Sequence, residues 1–585
     1  MFMNSSGERI TYFAQTDARG KRILFGIKEK DRTQHMYIIG KTGVGKSTLL
    51  ENMAIQDIQG GEGMAFLDPH GKTADLLLEY IPEHRIKDVV YFAPFDTEYP
   101  ISFNVMEDVG PMKRHLVLSG LMSAFEKVFG EESFSDRMQY ILQNTILALL
   151  EYPGATMLGI NKMLSDKAYR SDVIARITDP SVKNYWTKEF AGYTDRFAAD
   201  AIPAIQNKIG QFTSNPLIRN IIGQPKSSFD IRKLMDEKKI LIVNLSKGLV
   251  GENNANLLGS MLVTKIYLAA MSRADVSKSE IKKLPPFYLY VDEFQSFANK
   301  SFADILSEAR KYKLALTIAH QYIEQMEEEV GAAVFGNVGT TATFRVGARD
   351  AEFLEKEFAP QFTAEDLVNL GIFQIYLKLM IDGISSPPFS ATTIPLIERN
   401  KETFSDKVIE ASREQFGAPR AEVEKKIQEW HAIGAVQSAP VHHAKNSPSF
   451  TPSTTVKEGA GGGFSSRERN KPGYWQEKKR EFRDQQQQQQ QQQQPRTGPL
   501  VSLKTLPTRS VPVHTNDARN AAGSSALRDA LKSALESVPK TNLNPSPQIP
   551  PTPQKLPTHR NSSTPPPPEE VERVLREGLP PEPPV

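Results

Sequence analysis

Residues 35–50, HMYIIGKTGVGKSTLL, limit what this chain can fold into more than any other stretch. Met36 to Ile39 is a short apolar run of the kind that forms a buried strand, and the apolar spacing from Thr48 onward is helical. Between them Gly40-Lys41-Thr42-Gly43-Val44-Gly45-Lys46-Ser47 fits GxxxxGK[ST], the phosphate-binding P-loop, in the strand–loop–helix setting the motif requires. Gly43 and Gly45 lack Cβ atoms, so successive N–H groups can curl round a polyphosphate. The helix that follows adds unpaired N–H groups, from Thr48 onward, and the positive end of its dipole. Lys46 is suited to reach the β- and γ-phosphates, and the Ser47 hydroxyl to ligate Mg2+. A glycine-rich βα turn with no nucleotide is the alternative, and it leaves the Lys-Ser pair in register unexplained. The stretch predicts binding of ATP or a similar nucleoside triphosphate with Mg2+.

The 585 residues are too many for one core, and length alone suggests several domains. Lys and Arg number 71 against 69 Asp and Glu, a formal charge of +2, so any footprint for nucleic acid must be local. With no cysteine, disulfides, thiolate metal sites and cysteine nucleophiles are excluded. The first residues, MFMNSSGERITYF, lack the basic and apolar regions of a signal peptide. No apolar run approaches the ~18 residues of a membrane span. The expectation is a soluble, cytoplasmic protein with no direct membrane span.

Ahead of the P-loop, Ile10 to Ala14 and Arg22 to Ile27 read as two strands, a small β element over residues 1–34. Gly63 to Leu67 and Asp88 to Phe92 continue the strands, the former ending in Asp68-Pro69-His70-Gly71. Strand signals then stop. Met138 to Leu150 keeps helical spacing, with Ser133 or Ser135 as its cap. Met157 to Ile177, Ser181 to Phe190 and Ile202 to Phe212 follow as further helices, so 109–223 reads as an all-helical insertion. The sheet resumes at Ile240 to Leu245, with a helix around Ala255 to Ala270. Phe287 to Val291, a helix from Phe302 to Lys311, Leu314 to Ala319, Ala342 to Val346 and Ile372 to Met380 follow. Strands alternating with helices predict an α/β fold, a P-loop NTPase parallel sheet over 35–108 and 224–397. Residues 398–433 read as a helical hairpin. From 434 to 585 a glycine run, polyglutamine (Gln485 to Gln494) and polyproline (Pro565 to Pro568) predict a disordered tail with two weak helical islands, Ser525 to Ser537 and Glu569 to Arg576.

Apolar Phe287 to Val291 closes on Asp292-Glu293, the Walker B position of a P-loop protein. Asp292 is expected to hold Mg2+ through its water shell, and Glu293 to orient and polarise the attacking water. Gln321 ends the next strand, where a polar side chain can sense the γ-phosphate. Asp68 and His70 point to the same sheet edge, as a turn or as catalytic groups, and the residues leave both readings open. Arg310, Arg345 and Arg349 are candidates for an arginine donated to a neighbour's nucleotide.

GKTGVGKSTLL, FLDPHG, the helical insertion, YLYVDEFQSF and LSEARKYKLALTIAHQY, in that order, resemble the ATPase domain of conjugative coupling proteins. These are the DNA-transfer ATPases of type IV secretion within the FtsK/HerA superfamily. The resemblance covers about residues 10–397. It implies a RecA-like domain with a helical insertion, in hexameric rings that pump DNA through a central channel. It assigns Lys46 and Ser47 to nucleotide and Mg2+, Asp292 and Glu293 to Walker B, and Gln321 to the sensor. Arg310 lies where relatives often keep an arginine. It also implies relaxase-type or secretion-channel protein partners. Membrane-bound members carry N-terminal transmembrane helices, whereas this sequence opens on the β element, so a soluble form recruited to the inner membrane face by partners is expected. For DNA contacts the sequence offers Arg467 to Arg483, seven basic residues mixed with Tyr474, Trp475 and Phe482, against the plainer reading of a solvated tail. The competing function is a P-loop ATPase that remodels or recruits protein partners without moving DNA.

Overall fold

The computed structural model describes residues 8–17, 20–130, 132, 134–298 and 301–432. The tail from 434, with its basic-aromatic stretch and helical islands, and the proposed cap Ser133 lie outside the described residues. Strands β1 (Ile10–Thr16) and β2 (Leu24–Lys28) precede the P-loop strand β3 (Met36–Ile39). Next come β4 (Gly63–Asp68) and β5 (Val89–Phe92), then, after the helical stretch, β6 (Ile240–Asn244) and β7 (Phe287–Val291). The series goes on with β8 (Leu314–His320), β9 (Thr340–Thr343) and β10 (Gln374–Lys378). A short pair, β11 (Met380–Ile381) and β12 (Ile384–Ser385), and then β13 (Phe389–Thr393) complete it.

Eleven of these strands form one sheet in the order β2-β1-β13-β10-β9-β3-β8-β7-β4-β6-β5. From β9 to β5 every neighbouring pair is parallel. From β9 to β2 every pair is antiparallel. The N-terminal pair, expected as an element of its own, is therefore one edge of the main sheet. β13 returns from the end of the core to pair with β1, giving each a partner for backbone groups that an open edge leaves unpaired. β8 runs between β3 and β7, so the carboxyl ends of the P-loop strand, the β8 strand and the Asp-Glu strand lie side by side.

Period-two alternation gives the sheet two buried faces. Tyr37, Ile39, Leu67, Val291 and Ile318 belong to one core, shared with the long helix Glu252–Met271 and the helices after β5. Met36, Ile38, Phe66, Tyr290 and Ala319 belong to the other, filled by the P-loop helix Lys46–Gln59. The described part of 109–223 carries helices and no strand, and its apolar residues are continuous with the first core. One helical stretch among the described residues, Glu252–Asp275, is long and apolar enough to cross a bilayer, contrary to the sequence reading; it is mostly buried within the protein, packed on the helix Arg114–Phe129.

Several boundaries move for identifiable reasons. The helix expected over Met157 to Ile177 is two, Leu158–Ser165 and Lys167–Arg176, because the Asp166 side chain accepts from Ala168 N and Tyr169 N and starts a new helix. Ser135 holds the N-cap position of Asp136–Leu150 without a side-chain bond. The segment after Asn184 widens into a π-helical turn, Tyr185–Glu189. The strand expected at Ala342 to Val346 stops at Thr343, because Phe344 N donates to Ile39 O (2.8 Å) and Arg345 O accepts from Lys41 N (2.9 Å) beside the P-loop. The strand expected from Ile372 begins at Gln374, since Phe373 has φ +65° and no extended strand passes through that conformation. The helical hairpin is present as Ser405–Phe416 and Arg420–Ala432, but its arms differ in what they cover. The first lies along β5, while the second sets Val423 and Ile427 against Leu158.

A polar clamp fixes the P-loop helix to the sheet. Buried Asp57 accepts from Arg32 through both oxygens (2.8 and 2.9 Å) and from Tyr290 Oη (2.5 Å). The Arg32 guanidinium lies 3.6 Å from the Tyr288 ring centre.

Candidate active site

The P-loop takes its shape from two glycines in left-handed backbone, Gly43 (φ +78°) and Gly45 (φ +117°). At Gly45 a side chain is excluded twice over, because an added Cβ would stand 2.6 Å from the Phe373 ring. Gly45 is also the N-cap of Lys46–Gln59, so the helix opens two residues before the expected Thr48, with Lys46, Ser47 and Thr48 in its first turn. Lys46 Nζ donates to the carbonyls of Gly40 (2.7 Å) and Lys41 (2.9 Å). Burial lowers its pKa, and the carboxylates of Asp292 and Glu293 oppose that shift. Val44 is buried under the loop, while Lys41 and Thr42 are exposed.

Across from the loop, Ser47 Oγ donates to Asp292 Oδ2 at 2.9 Å. Burial raises the Asp292 pKa, the Ser47 bond pulls it down, and nearby Asp68 adds repulsion that raises it. Glu293 sits in left-handed backbone (φ +46°, ψ +52°), a conformation that costs a non-glycine residue about 1–3 kcal/mol. Its surroundings hold it there. Its N–H donates to Asp292 Oδ1 (2.9 Å), Gln321 Nε2 donates to Glu293 Oε1, and His70 Nε2 stands 2.8 Å from the same oxygen. Gln321 Oε1 in turn accepts from Thr42 Oγ1 at 3.2 Å. A polar chain thus runs from the P-loop through Gln321 to Glu293.

Both readings of Asp68-Pro69-His70-Gly71 find a residue. The Asp68 carboxylate is spent on the turn, accepting from His70 N (2.8 Å) and Ala74 N (2.9 Å), whereas the His70 ring reaches Glu293. Two residues here went unnoticed in the sequence. Glu51, one helical turn beyond Ser47, is buried with a raised pKa, caused first by that burial, and accepts from Thr73 Oγ1 (2.9 Å). The i, i+4 spacing from Ser47 was the available signal. His320, beside Gln321, is pushed down to about 3 by burial, with Lys46 adding to the effect, and meets Tyr37 Oη at 3.2 Å through Nδ1.

The three arginines separate. Arg345 has its backbone against the P-loop of its own chain. Exposed Arg349 pairs with Glu324 (2.9 Å). Arg310, also exposed, donates to Gln34 Oε1 (3.3 Å), just ahead of β3. The P-loop follows β3, so Arg310 is at the opposite end of the strands from Lys46, out of reach of the same chain's loop.

The family model for the type IV secretion-system coupling protein DNA-binding domain matches residues 24–359, more than half of the chain. The chain belongs to this family. Among solved structures, this coupling-protein chain is similar to the bacterial conjugative coupling protein TrwB (TrwBdeltaN70, unbound monoclinic form): 14% identity, 66% of this chain and 89% of that one, TM-score 0.46. TrwB in complex with ADP and Mg2+ gives 15% identity, 67% and 92% coverage, and TM-score 0.47. VirB4 of Thermoanaerobacter pseudethanolicus gives 13% identity, 68% and 99% coverage, and TM-score 0.44. No curated protein matches.

Proposed function

We propose that this chain is an ATP-hydrolysing, DNA-translocating motor of the coupling-protein type, working as a ring with DNA in its channel. The observation that carries the reading is the polar chain from Thr42 through Gln321 to Glu293, beside the Ser47–Asp292 pair. It gathers phosphate, metal and water handling at the ends of three adjacent parallel strands. Membership in a family described by its DNA-binding domain supports DNA as the partner.

In this reading the amides of Gly43 to Ser47 and the Lys46 ammonium hold the β- and γ-phosphates. Lys46 exchanges the carbonyls of Gly40 and Lys41 for phosphate oxygens. One hydroxyl and one carboxylate 2.9 Å apart fit Mg2+, which takes few protein donors and completes its shell with phosphates and waters. Held by Ser47 and Asp292, Mg2+ would supply charge neutralisation to the polyphosphate. Glu293 accepts the proton of the attacking water, and Gln321, bonded to both loop and base, reports γ-phosphate loss to β8. His70 orients Glu293 from the solvent side.

The test is the rate of ATP hydrolysis with and without single- or double-stranded DNA at fixed salt. Stimulation by DNA is expected. Hydrolysis indifferent to both DNAs at low and moderate salt overturns the motor reading in favour of protein remodelling or recruitment.

A further inference from the structure

Two large apolar side chains stand in water directly beside the P-loop. Ile372 is 57% exposed and Phe373 42%, and neither contributes to a buried core. Phe373 is nonetheless held firmly. Its N–H donates to Val44 O (3.0 Å), and its carbonyl accepts from Thr393 N (2.8 Å) and Thr393 Oγ1 (3.2 Å). Gly371 N donates to Gln374 Oε1 (2.8 Å), closing the turn around it. These bonds fix an aromatic residue at φ +65°, where bulky side chains are seldom found, with one part of its ring against Gly45 and another in solvent. Packing alone does not account for such a position.

Its side of the loop is informative. Asp292, Glu293 and Gln321 follow β7 and β8, on one flank of β3, whereas Phe373 leads into β10, on the other flank beyond β9. A nucleoside triphosphate with its γ-phosphate beside Glu293 carries its base at the far end of the molecule, away from the acidic flank. The exposed aromatic is on the side where that base arrives.

We propose that Phe373, rimmed by Ile372, is the shelf on which the base of the nucleotide stacks. The inference rests on the reading of the P-loop as a nucleoside triphosphate site. A face of Phe offers π-stacking and apolar contact to any base, so purines bind better than the smaller pyrimidines and adenine is weakly separated from guanine.

Titration calorimetry of the full chain with ATP and with inorganic tripolyphosphate tests this. The variants are Phe373→Ala, Phe373→Leu, Phe373→Trp, Ile372→Ala and Lys46→Ala, each checked for an unchanged melting temperature. Phe373→Ala is expected to weaken ATP by roughly tenfold or more while tripolyphosphate binding holds, since stacking on one aromatic is worth that much. Phe373→Leu, which keeps bulk against Gly45 but has no π-face, should behave the same way. Phe373→Trp should restore ATP binding, and Ile372→Ala should give a smaller loss for ATP only. If the Phe373 variants lower ATP and tripolyphosphate together, the ring merely shapes the loop and the shelf is overturned. If Phe373→Ala keeps ATP affinity while Lys46→Ala loses it, the shelf is wrong and the P-loop reading stands. If Lys46→Ala loses neither ligand, the P-loop reading fails and the shelf with it.

Discussion

Ser47 Oγ and Asp292 Oδ2 are 2.9 Å apart, joining the first turn of the P-loop helix to the end of β7. The bond keeps a hydroxyl and a carboxylate together at the point where loop and acidic strand meet. Asp292 is buried, and its raised pKa reflects that burial first. A divalent cation at the pair reverses the penalty by supplying the opposite charge. Asp292→Asn should therefore keep ATP binding without Mg2+ and lose the tightening that Mg2+ brings. ATP titrations in EDTA and in Mg2+ measure this directly, and equal Mg2+ tightening in both proteins would remove Asp292 from the metal site.

Glu293 is held in left-handed backbone by bonds from Gln321 and to Asp292, with His70 on the same carboxylate oxygen. Glu293→Gln preserves shape but not the charge with which, in the proposed mechanism, the carboxylate accepts a proton. Turnover should fall about 10²–10⁴-fold, the usual worth of a positioned general base, with ATP affinity unchanged. His70→Ala leaves the carboxylate in place and should cost only a few-fold. Parental turnover in Glu293→Gln, measured by phosphate release, would refute the assignment.

Asp57 carries a stability prediction. It neutralises Arg32, which is buried and also bonded to Thr11 and Tyr290. Asp57→Asn leaves that guanidinium buried without its counter-charge, at a cost of about 3–5 kcal/mol. Urea denaturation should show the loss, and a double variant with Arg32→Met should recover much of it. An Asp57→Asn protein as stable as the parent would show that the clamp contributes nothing.

Two histidines set a pH dependence. Burial pushes His35 down to about 4 and His320 down to about 3, from an ordinary 6.5. His35 Nδ1 accepts from Leu316 N (3.1 Å) and His320 Nδ1 is bonded to Tyr37 Oη (3.2 Å), so a second proton on either ring places a charge in a buried site. The unfolded chain binds these protons below pH 6.5 and the folded chain does not until about 4 and 3. Their stabilisation is thus complete above pH 6.5 and declines as pH falls towards those values. Between pH 7 and pH 5 each histidine should remove about 2 kcal/mol of unfolding free energy. His320→Asn, whose amide can pair with Tyr37 in either direction and does not titrate, should lessen the slope. A flat urea midpoint from pH 7 to 5 would contradict both assignments.

How much of this could be read from the chain depended on whether the signal was local. The P-loop and Asp292-Glu293 are contiguous motifs at strand ends, so their edge of the sheet was legible. The order of strands was not, because nothing near β1 in the sequence announces that β13 returns to pair with it. Nothing local marks Arg32 and Asp57, and only the meeting of three distant elements makes them a buried pair. Asp166 is a good N-cap residue type, but the apolar spacing over Met157 to Ile177 runs through it without a break. Ile372 and Phe373 continued an apolar run and so read as strand, whereas their backbone turns to seat the ring against Gly45.

The last prediction concerns Arg310. It is at the start of β8 with its guanidinium on Gln34, while the loop it was expected to serve lies beyond the other end of β3. Within one chain the two cannot meet. The developing charge on a transferred γ-phosphate still calls for an arginine, and one supplied in trans is worth roughly 10³-fold or more in turnover. If a ring brings Arg310 of one subunit to its neighbour's loop, Arg310→Ala alone and Glu293→Gln alone should both be nearly inactive. Mixing them should restore part of the rate, because some interfaces then combine an intact Glu293 with an intact Arg310. Arg345, which lies against the P-loop of its own chain, is the internal control: Arg345→Ala mixed with Glu293→Gln should show no rescue, since both defects fall in the same kind of site. Turnover should also climb more steeply than linearly with protein concentration as the ring assembles. A mixture no faster than the average of its parts, with Arg310→Ala fully active, would exclude Arg310 and leave Arg345 acting within its own chain.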